Sequence, residues 1–264
     1  MAKPLRISYG KDAVSVYRGR DGELFAAEVA LVIQGEAFLP SYTEGDNSMV
    51  IATDSMKNFI HSCGCDFTGA SLEEFLADIG RRFLARYEHA EAVRLEGRGL
   101  SFERRGEALY QQTYADRGVA WLEMARDVVL DHRSCRVGLH LVKLTGSAFR
   151  GFLRDEYTTL PEAVDRPLFV HLDVHWRHRD FEQRVASEEV RDLLVATFDD
   201  FVSESIQHLA HEMGVRVLER FEEIELIEFE GQNRLWDTAQ THGDATVYTE
   251  ARPPYGVIHL TLAR

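Results

Sequence analysis

Apolar residues recur along this chain with two different periods, and the periods change in the same order twice. Leu5 to Val16 and Leu24 to Gly35 read as strands. The second of these, Leu24-Phe25-Ala26-Ala27-Glu28-Val29-Ala30-Leu31-Val32-Ile33, is apolar-rich and partly alternating, as expected of a sheet with one covered face. The turn signal Arg18-Gly19-Arg20-Asp21-Gly22 between them predicts a hairpin. Two helical segments follow. In the second, Ser71 and Glu74 have capping-box spacing, and Leu72, Phe75, Leu76, Ile79, Phe83, Leu84 and Tyr87 keep a 3.6-residue period, a core stripe. Strand-like segments around Ala92 to Phe102 and Gly118 to Val129 close the first half.

The second half repeats that order. Cys135 to Leu144 and Pro167 to Trp176 read as strands, and a helical region runs from Ser187 to Phe221. Gly214 and the Asp199-Asp200 pair predict a kink or a break within it. Strands at Ile224 to Phe229 and Val257 to Leu262 end the chain. Two strands, two helices and two strands, twice over, predict an α+β fold with helices on one sheet face. The expected division is residues 1–131 and 132–264.

Composition narrows the partners. The net charge is -14 over 264 residues, which argues against nucleic acid or an anionic membrane as the main partner. An anionic substrate would need a local positive exception. Cys63, Cys65 and Cys135 are too few and too unevenly placed for a disulfide framework, and Cys63-Gly64-Cys65 lacks a partner pair for zinc. His171 and His175 share one strand face, with His178 on the other, and His208 and His211 lie one helical turn apart. No third ligand completes either set, so no metal site is expected. The opening Met1-Ala2-Lys3-Pro4 has no apolar signal core, and the closing Leu262-Ala263-Arg264 is not a peroxisomal tripeptide. A bacterial-type cytoplasmic protein is the expectation.

Five stretches carry candidate chemistry. Gly151-Phe152-Leu153-Arg154-Asp155-Glu156-Tyr157-Thr158-Thr159-Leu160 is closed by Arg166, and it mixes apolar and ionisable residues too irregularly for a simple face. Tyr9-Gly10-Lys11-Asp12 stands near the start. Tyr42-Thr43-Glu44-Gly45-Asp46-Asn47-Ser48 is followed by Ala52-Thr53-Asp54-Ser55-Met56-Lys57-Asn58. Ser205-Ile206-Gln207 and Gly231-Gln232-Asn233-Arg234-Leu235 lie later. Thr53 sits where a strand-like run gives way to a helix, so it is a candidate N-cap. The backbone N–H groups of Thr53 and Asp54 would then form an anion site at the helix N-terminus.

Together these stretches resemble urate oxidase, the cofactor-free uricase family. The resemblance implies two tandem tunnelling-fold (ββααββ) domains whose antiparallel sheets join between subunits into a barrel. It implies a homotetramer with active sites at subunit interfaces. It also implies urate and dioxygen as substrates, no cofactor or metal, and 5-hydroxyisourate and hydrogen peroxide as products. Phe149 would stack on the purine, Leu160 would form an apolar wall, and the planar fork of Arg166 would grip one purine edge. Standing alone, Arg166 would be read as an ion-pair partner of Asp165 or Glu162. Ile206 would contribute backbone and Gln207, directed inward, would read the other edge. Lys11 and Thr53, from the neighbouring subunit, would relay a substrate proton, with Asp54 also at the substrate. Asn233 would hold dioxygen or water.

One position departs from the family pattern, which has Asn-x-His where this chain has Asn233-Arg234-Leu235. Leucine cannot transfer a proton. His242 could stand in only with remodelling of the strand. The alternatives are a relay through Lys11, Thr53 and water, or a purine- or pterin-binding homologue with altered or reduced catalysis.

Overall fold

Two residues are enough to turn the first hairpin, so its strands reach closer to the turn than the sequence suggests. Asp21 (φ 51°) and Gly22 (φ 78°) both adopt the left-handed conformation that matches the twist of paired strands. Strands β1 (Tyr9–Arg20) and β2 (Glu23–Gln34) therefore extend to the turn itself. The structure, a computed structural model, describes residues 6–114, 116–126, 128–249 and 253–264. Leu5, the expected start of β1, lies outside the described residues, as does Asp127 within the expected Gly118 to Val129 strand.

The chain separates into two compact units, Met1–Ser134 and Cys135–Arg264. In the first, β2 leads through a short turn into α1 (Leu39–Thr43), α2 (Thr53–Asp66) and α3 (Leu72–Arg86). Strands β3 (Ala92–Gly99), β4 (Phe102–Arg104), β5 (Tyr110–Gln112) and β6 (Arg117–Ala125) follow, and β7 (Val128–Lys143) crosses the unit boundary. The sheet order is β1-β2-β3-β6, antiparallel throughout, and β4 and β5 pair as a separate small hairpin. Ala27, Val29, Leu31 and Ile33 of β2 are fully buried, as are Phe75, Leu76, Ile79 and Phe83 of α3, which packs on β3 and β6. The opposite sheet face is polar, with cross-strand ion pairs Arg98–Glu28 (3.0 Å) and Arg94–Glu123 (3.1 Å). The capping box of α3 forms as expected: Glu74 N–H donates to Ser71 Oγ (3.2 Å) and Ser71 N–H to Glu74 Oε2 (3.4 Å).

The second unit continues with β8 (Leu168–His178), α4 (Ser187–Asp200), α5 (Ile206–Arg220) and β9 (Ile224–Asn233). A small hairpin of β10 (Asp237–His242) and β11 (Ala245–Thr249) precedes β12 (Gly256–Ala263). Strands β8, β9 and β12 pair antiparallel in that order. Their inner residues Val170, Val174, Trp176, Ile227 and Phe229 pack on Val190, Leu194, Leu209, Met213 and Val217 of the two helices. The break in the helical region falls after Asp200, as the acidic pair suggested. Gly214 breaks nothing. It lies inside α5, where an added Cβ would stand 2.5 Å from Leu262 and 3.1 Å from Phe229, so it serves close packing. Gly80 holds the same place in α3, 2.7 Å from Met124 and 3.0 Å from Leu95 by the same measure.

Candidate active site

The candidate residues gather in two groups, one within each unit. In the first unit, β1 carries a bulge: Lys11 stands opposite Leu31 and Val14 opposite Val29, so β1 holds one extra residue. Ala13 takes φ 55°, and its N–H donates to Asp12 Oδ1 (2.7 Å). Side chains alternate along a strand, so without the extra residue Lys11 would face away from buried Val14 and Val16. The bulge turns it onto the same face as Leu31, the face that the helices cover. Gly10 permits this approach, because a Cβ there would lie 2.0 Å from the Leu31 carbonyl oxygen. Tyr9, one residue earlier, packs edge-on against Phe38 (5.3 Å). Its hydroxyl accepts from Ile51 N–H (2.8 Å), which pins β1 to the segment entering α2.

Thr53 is not the N-cap of α2. Ala52 takes that position without a side-chain cap, and Thr53 is the first helical residue. The reason is local: Ala52 carries the extended backbone (ψ 136°) that a cap needs, and the helix begins one residue later. Uncapped, the first-turn N–H groups of Thr53 and Asp54 keep their donor capacity beside the positive helix end. The exposed Asp54 carboxylate turns back along the helix to Lys57 Nζ (2.6 Å) and Asn58 Nδ2 (3.1 Å). Lys57, first by its hydrogen bond and then by its charge, holds this carboxyl below its ordinary pKa, and the charge of Lys11 acts in the same direction.

In the second unit, Ser147 to Phe149 form the middle of a three-segment knot. Ala148 N–H donates to Ser203 O (2.8 Å) and Ser203 N–H to Gly146 O (3.1 Å) on one side. On the other, Phe149 and Ala163 exchange both backbone bonds (2.8 and 2.9 Å), and Arg166 N–H donates to Ser147 O (2.9 Å). Ser203 leads directly into Ser205, whose hydroxyl caps α5 by accepting from His208 N–H (3.1 Å). The knot thus joins Phe149, Arg166 and the N-terminus of α5, which carries Ile206 and Gln207.

The Arg166 guanidinium carbon stands 5.3 Å from the centre of the Phe149 ring. Its Nε is buried without a hydrogen-bond partner, and among the described residues it forms no ion pair. Asp165 and Glu162, the partners expected for a lone Arg, are engaged with backbone. Asp165 Oδ1 accepts from Gly146 N–H (2.7 Å) and Ser147 N–H (3.3 Å), and Glu162 Oε1 from Gly151 N–H (3.0 Å). Burial lowers the Arg166 pKa, though a guanidinium remains charged at neutral pH. Phe152 stacks on Phe149 at 4.8 Å and 14°. Leu160 lies on the loop between them and Arg166, 39% exposed.

Gln207 does not point inward within this unit. Ile206 and Leu209 face the core, and Gln207, about 100° around the helix from Ile206, is exposed. Asn233 ends β9 between Val170 and Gly256, and its Oδ1 is buried without a hydrogen-bond partner. Leu235 follows in the connection to β10. His242 sits opposite Ala245 at the far tip of the β10–β11 hairpin, so it cannot replace a relay histidine beside Asn233. Among the described residues no three His, Cys, Asp or Glu side chains converge as a metal-ligand group. His171 stacks on His140 (3.7 Å), and His175 Nδ1 lies 3.0 Å from Cys135 Sγ. Among the described residues no helix is long and apolar enough to cross a membrane.

Sequence reasoning missed the bulge at Ala13, the Tyr9 anchor and the knot around Ser147. Only the Asp residues, which favour local backbone bonds, hinted at the first and third.

Comparisons with known proteins identify the family. The family model described as Uricase matches residues 7–106 and 132–259. The uric acid degradation bifunctional protein of Bacillus sp. (strain TB-90) is 38% identical over 92% of this chain, which spans about half (53%) of that relative's length. The uricase of Haloferax volcanii is 36% identical, with 98% of each chain covered. The crystal structure of urate oxidase from Bacillus sp. TB-90 superposes with a TM-score of 0.89 at 35% identity, covering 98% of this chain and all of that one (100%). Matched across most of its length by sequence and by fold, the chain belongs to the uricase family.

Proposed function

We propose that this chain oxidises urate with dioxygen. The observation that carries the reading is Arg166, a half-buried guanidinium without a carboxylate partner, set over the Phe149 ring. A cation left unpaired at such a place is matched to an anionic ligand. Its fork offers two parallel N–H donors to adjacent purine acceptors, while Phe149 stacks on the ring and Leu160 walls it. The Ile206 backbone and the Gln207 amide, exposed at the start of α5, meet the opposite edge.

The proton is handled by the other group. Lys11 and Thr53 draw a proton from bound urate, and the first-turn N–H groups of Thr53 and Asp54 stabilise the resulting anion. The electron-rich urate anion reduces dioxygen directly, with no metal or organic cofactor. Asn233 orients dioxygen and then the water that adds to the oxidised ring. Urate, O2 and water thus yield 5-hydroxyisourate and hydrogen peroxide. Each unit is read as a tunnelling-fold domain. In a homotetramer, sheets of neighbouring subunits close a barrel, and Lys11, Thr53 and Asp54 enter the site from the neighbouring subunit. Barrel closure would also remove exposed strand edges. With leucine at 235, the relay runs through Lys11, Thr53 and water. The free thiols of Cys63, Cys65 and Cys135 suit the cytoplasm.

The test is direct. Metal-stripped protein is mixed with urate in air, and urate absorbance, oxygen and peroxide are followed. Loss of urate with matching oxygen uptake and peroxide release is expected. Stable urate absorbance would overturn the reading.

A further inference from the structure

We infer that Asp165 is a positioning residue for the substrate-gripping group, an inference that rests on the urate reading above. One carboxylate oxygen of Asp165 accepts from two successive backbone N–H groups, Gly146 (2.7 Å) and Ser147 (3.3 Å). The next residue, Arg166, donates its own N–H to the Ser147 carbonyl (2.9 Å). Asp165 and Arg166 therefore grip the same dipeptide from both sides. Two residues further on stands Phe149, and Ser203, before α5, bonds to Gly146 and Ala148. Gly146 lies at φ 77°, in the left-handed region that glycine adopts without a Cβ penalty.

Arg166 has no ion pair among the described residues although an aspartate precedes it in sequence. One oxygen of the Asp165 carboxylate is committed to two backbone donors instead. The carboxylate fixes the spacing between Phe149 and Arg166 without neutralising the guanidinium, which stays available to an anion. Asp165 also lies close enough to Lys143 to favour its charged form, so charge and hydrogen bonding must be separated by experiment.

Three variants do so. Asn at 165 keeps an acceptor oxygen but loses the charge, Glu keeps the charge but displaces the acceptor, and Ala loses both. Urate KM and kcat are measured for wild type and all three, with folding checked by circular dichroism. Asp165→Ala and Asp165→Glu should raise KM about tenfold, the loss of a charge-assisted contact's worth of positioning, with kcat within about twofold. Asp165→Asn should stay within about threefold of the wild-type KM. Should Asp165→Ala fail to fold, the contrast between Asn and Glu decides alone. An unmoved KM in Asp165→Glu, or Asn and Ala impaired alike, would overturn the inference while wild-type activity upholds the urate reading. A wild type that leaves urate untouched would remove that reading, and this inference with it.

Discussion

Replacing Arg166 with methionine should weaken substrate binding and strengthen the fold at once. The side chain stands over Phe149, its Nε is buried without a partner, and burial lowers its pKa. Without ligand, the fold holds an uncompensated cation; with urate, that cation forms two charge-assisted hydrogen bonds. Each such bond contributes about 1.5 to 3 kcal/mol. Half-burial favours the lower end, so losing both costs about 3 kcal/mol, a rise in urate Kd of roughly 100-fold. Methionine has similar length and keeps a favourable sulfur–ring contact with Phe149. Removing the unsatisfied donor should therefore return about 1 kcal/mol to the ligand-free protein. At this chain length, that is an apparent Tm increase of about 2 to 4 °C. Anaerobic calorimetry with urate gives the first quantity, and thermal melting at fixed protein concentration gives the second. A lower Tm together with an unchanged Kd would show Arg166 to be a structural cation and refute the argument.

Leu235→His should raise kcat about tenfold or more with little change in KM, by restoring a proton carrier two residues beyond Asn233; an unchanged rate in a folded variant would show a relay complete without it. Burial pushes the Cys63 thiol up to about 11, with Asp78 and Asp66 acting the same way against Arg82, whereas Cys65 is exposed. Mild alkylation at about pH 8 should thus modify Cys65 and spare Cys63 and Cys135; comparable labelling of Cys63, read by peptide mass spectrometry, would contradict its placement. His171 is held below its ordinary pKa, first by burial and then by the charges of His140 and Arg234, against an opposing pull from Asp173. Its folded-state pKa lies below the unfolded one, so its contribution is complete above about pH 6.5 and declines as pH falls below that. The urea midpoint should drop between about pH 7 and pH 5, and less steeply in His171→Gln; equal slopes would exclude His171 as a source.

The repeated strand and helix order was legible because each unit covers one sheet face with an apolar helix stripe. The alternation in Leu24 to Ile33 and the 3.6-residue period of Leu72 to Tyr87 both report that covering. The capping box was legible because Ser71 and Glu74 act within one turn. The bulge at Ala13 was not, since one inserted residue leaves no mark on composition yet decides which face Lys11 occupies. Thr53 misled because its residue type favours capping, whereas the helix boundary depends on the backbone of Ala52. The inward placement of Gln207 followed from family likeness, and the helix phase set by Ile206 and Leu209 puts it outside within its own unit. Arg166 was legible as a residue, but its lack of an ion pair depends on Asp165 and Glu162 bonding to backbone instead.

Gly80 and Gly214 have a consequence for tolerance to change. Each lets its helix settle onto the sheet at a distance that excludes even one methyl group. Alanine at either position gains about 1 kcal/mol of helix propensity, and the sign of the net effect depends on what must move aside. At Gly80 the obstacles are the thioether of Met124 and the Leu95 terminus, both able to rotate. At Gly214 the Leu262 terminus is closer and the Phe229 ring stands behind it, so crowding of about 1 to 3 kcal/mol prevails. Two units of like plan thus differ in how far a helix can be lifted, and a library of small substitutions along α3 and α5 would show the second to be the stiffer.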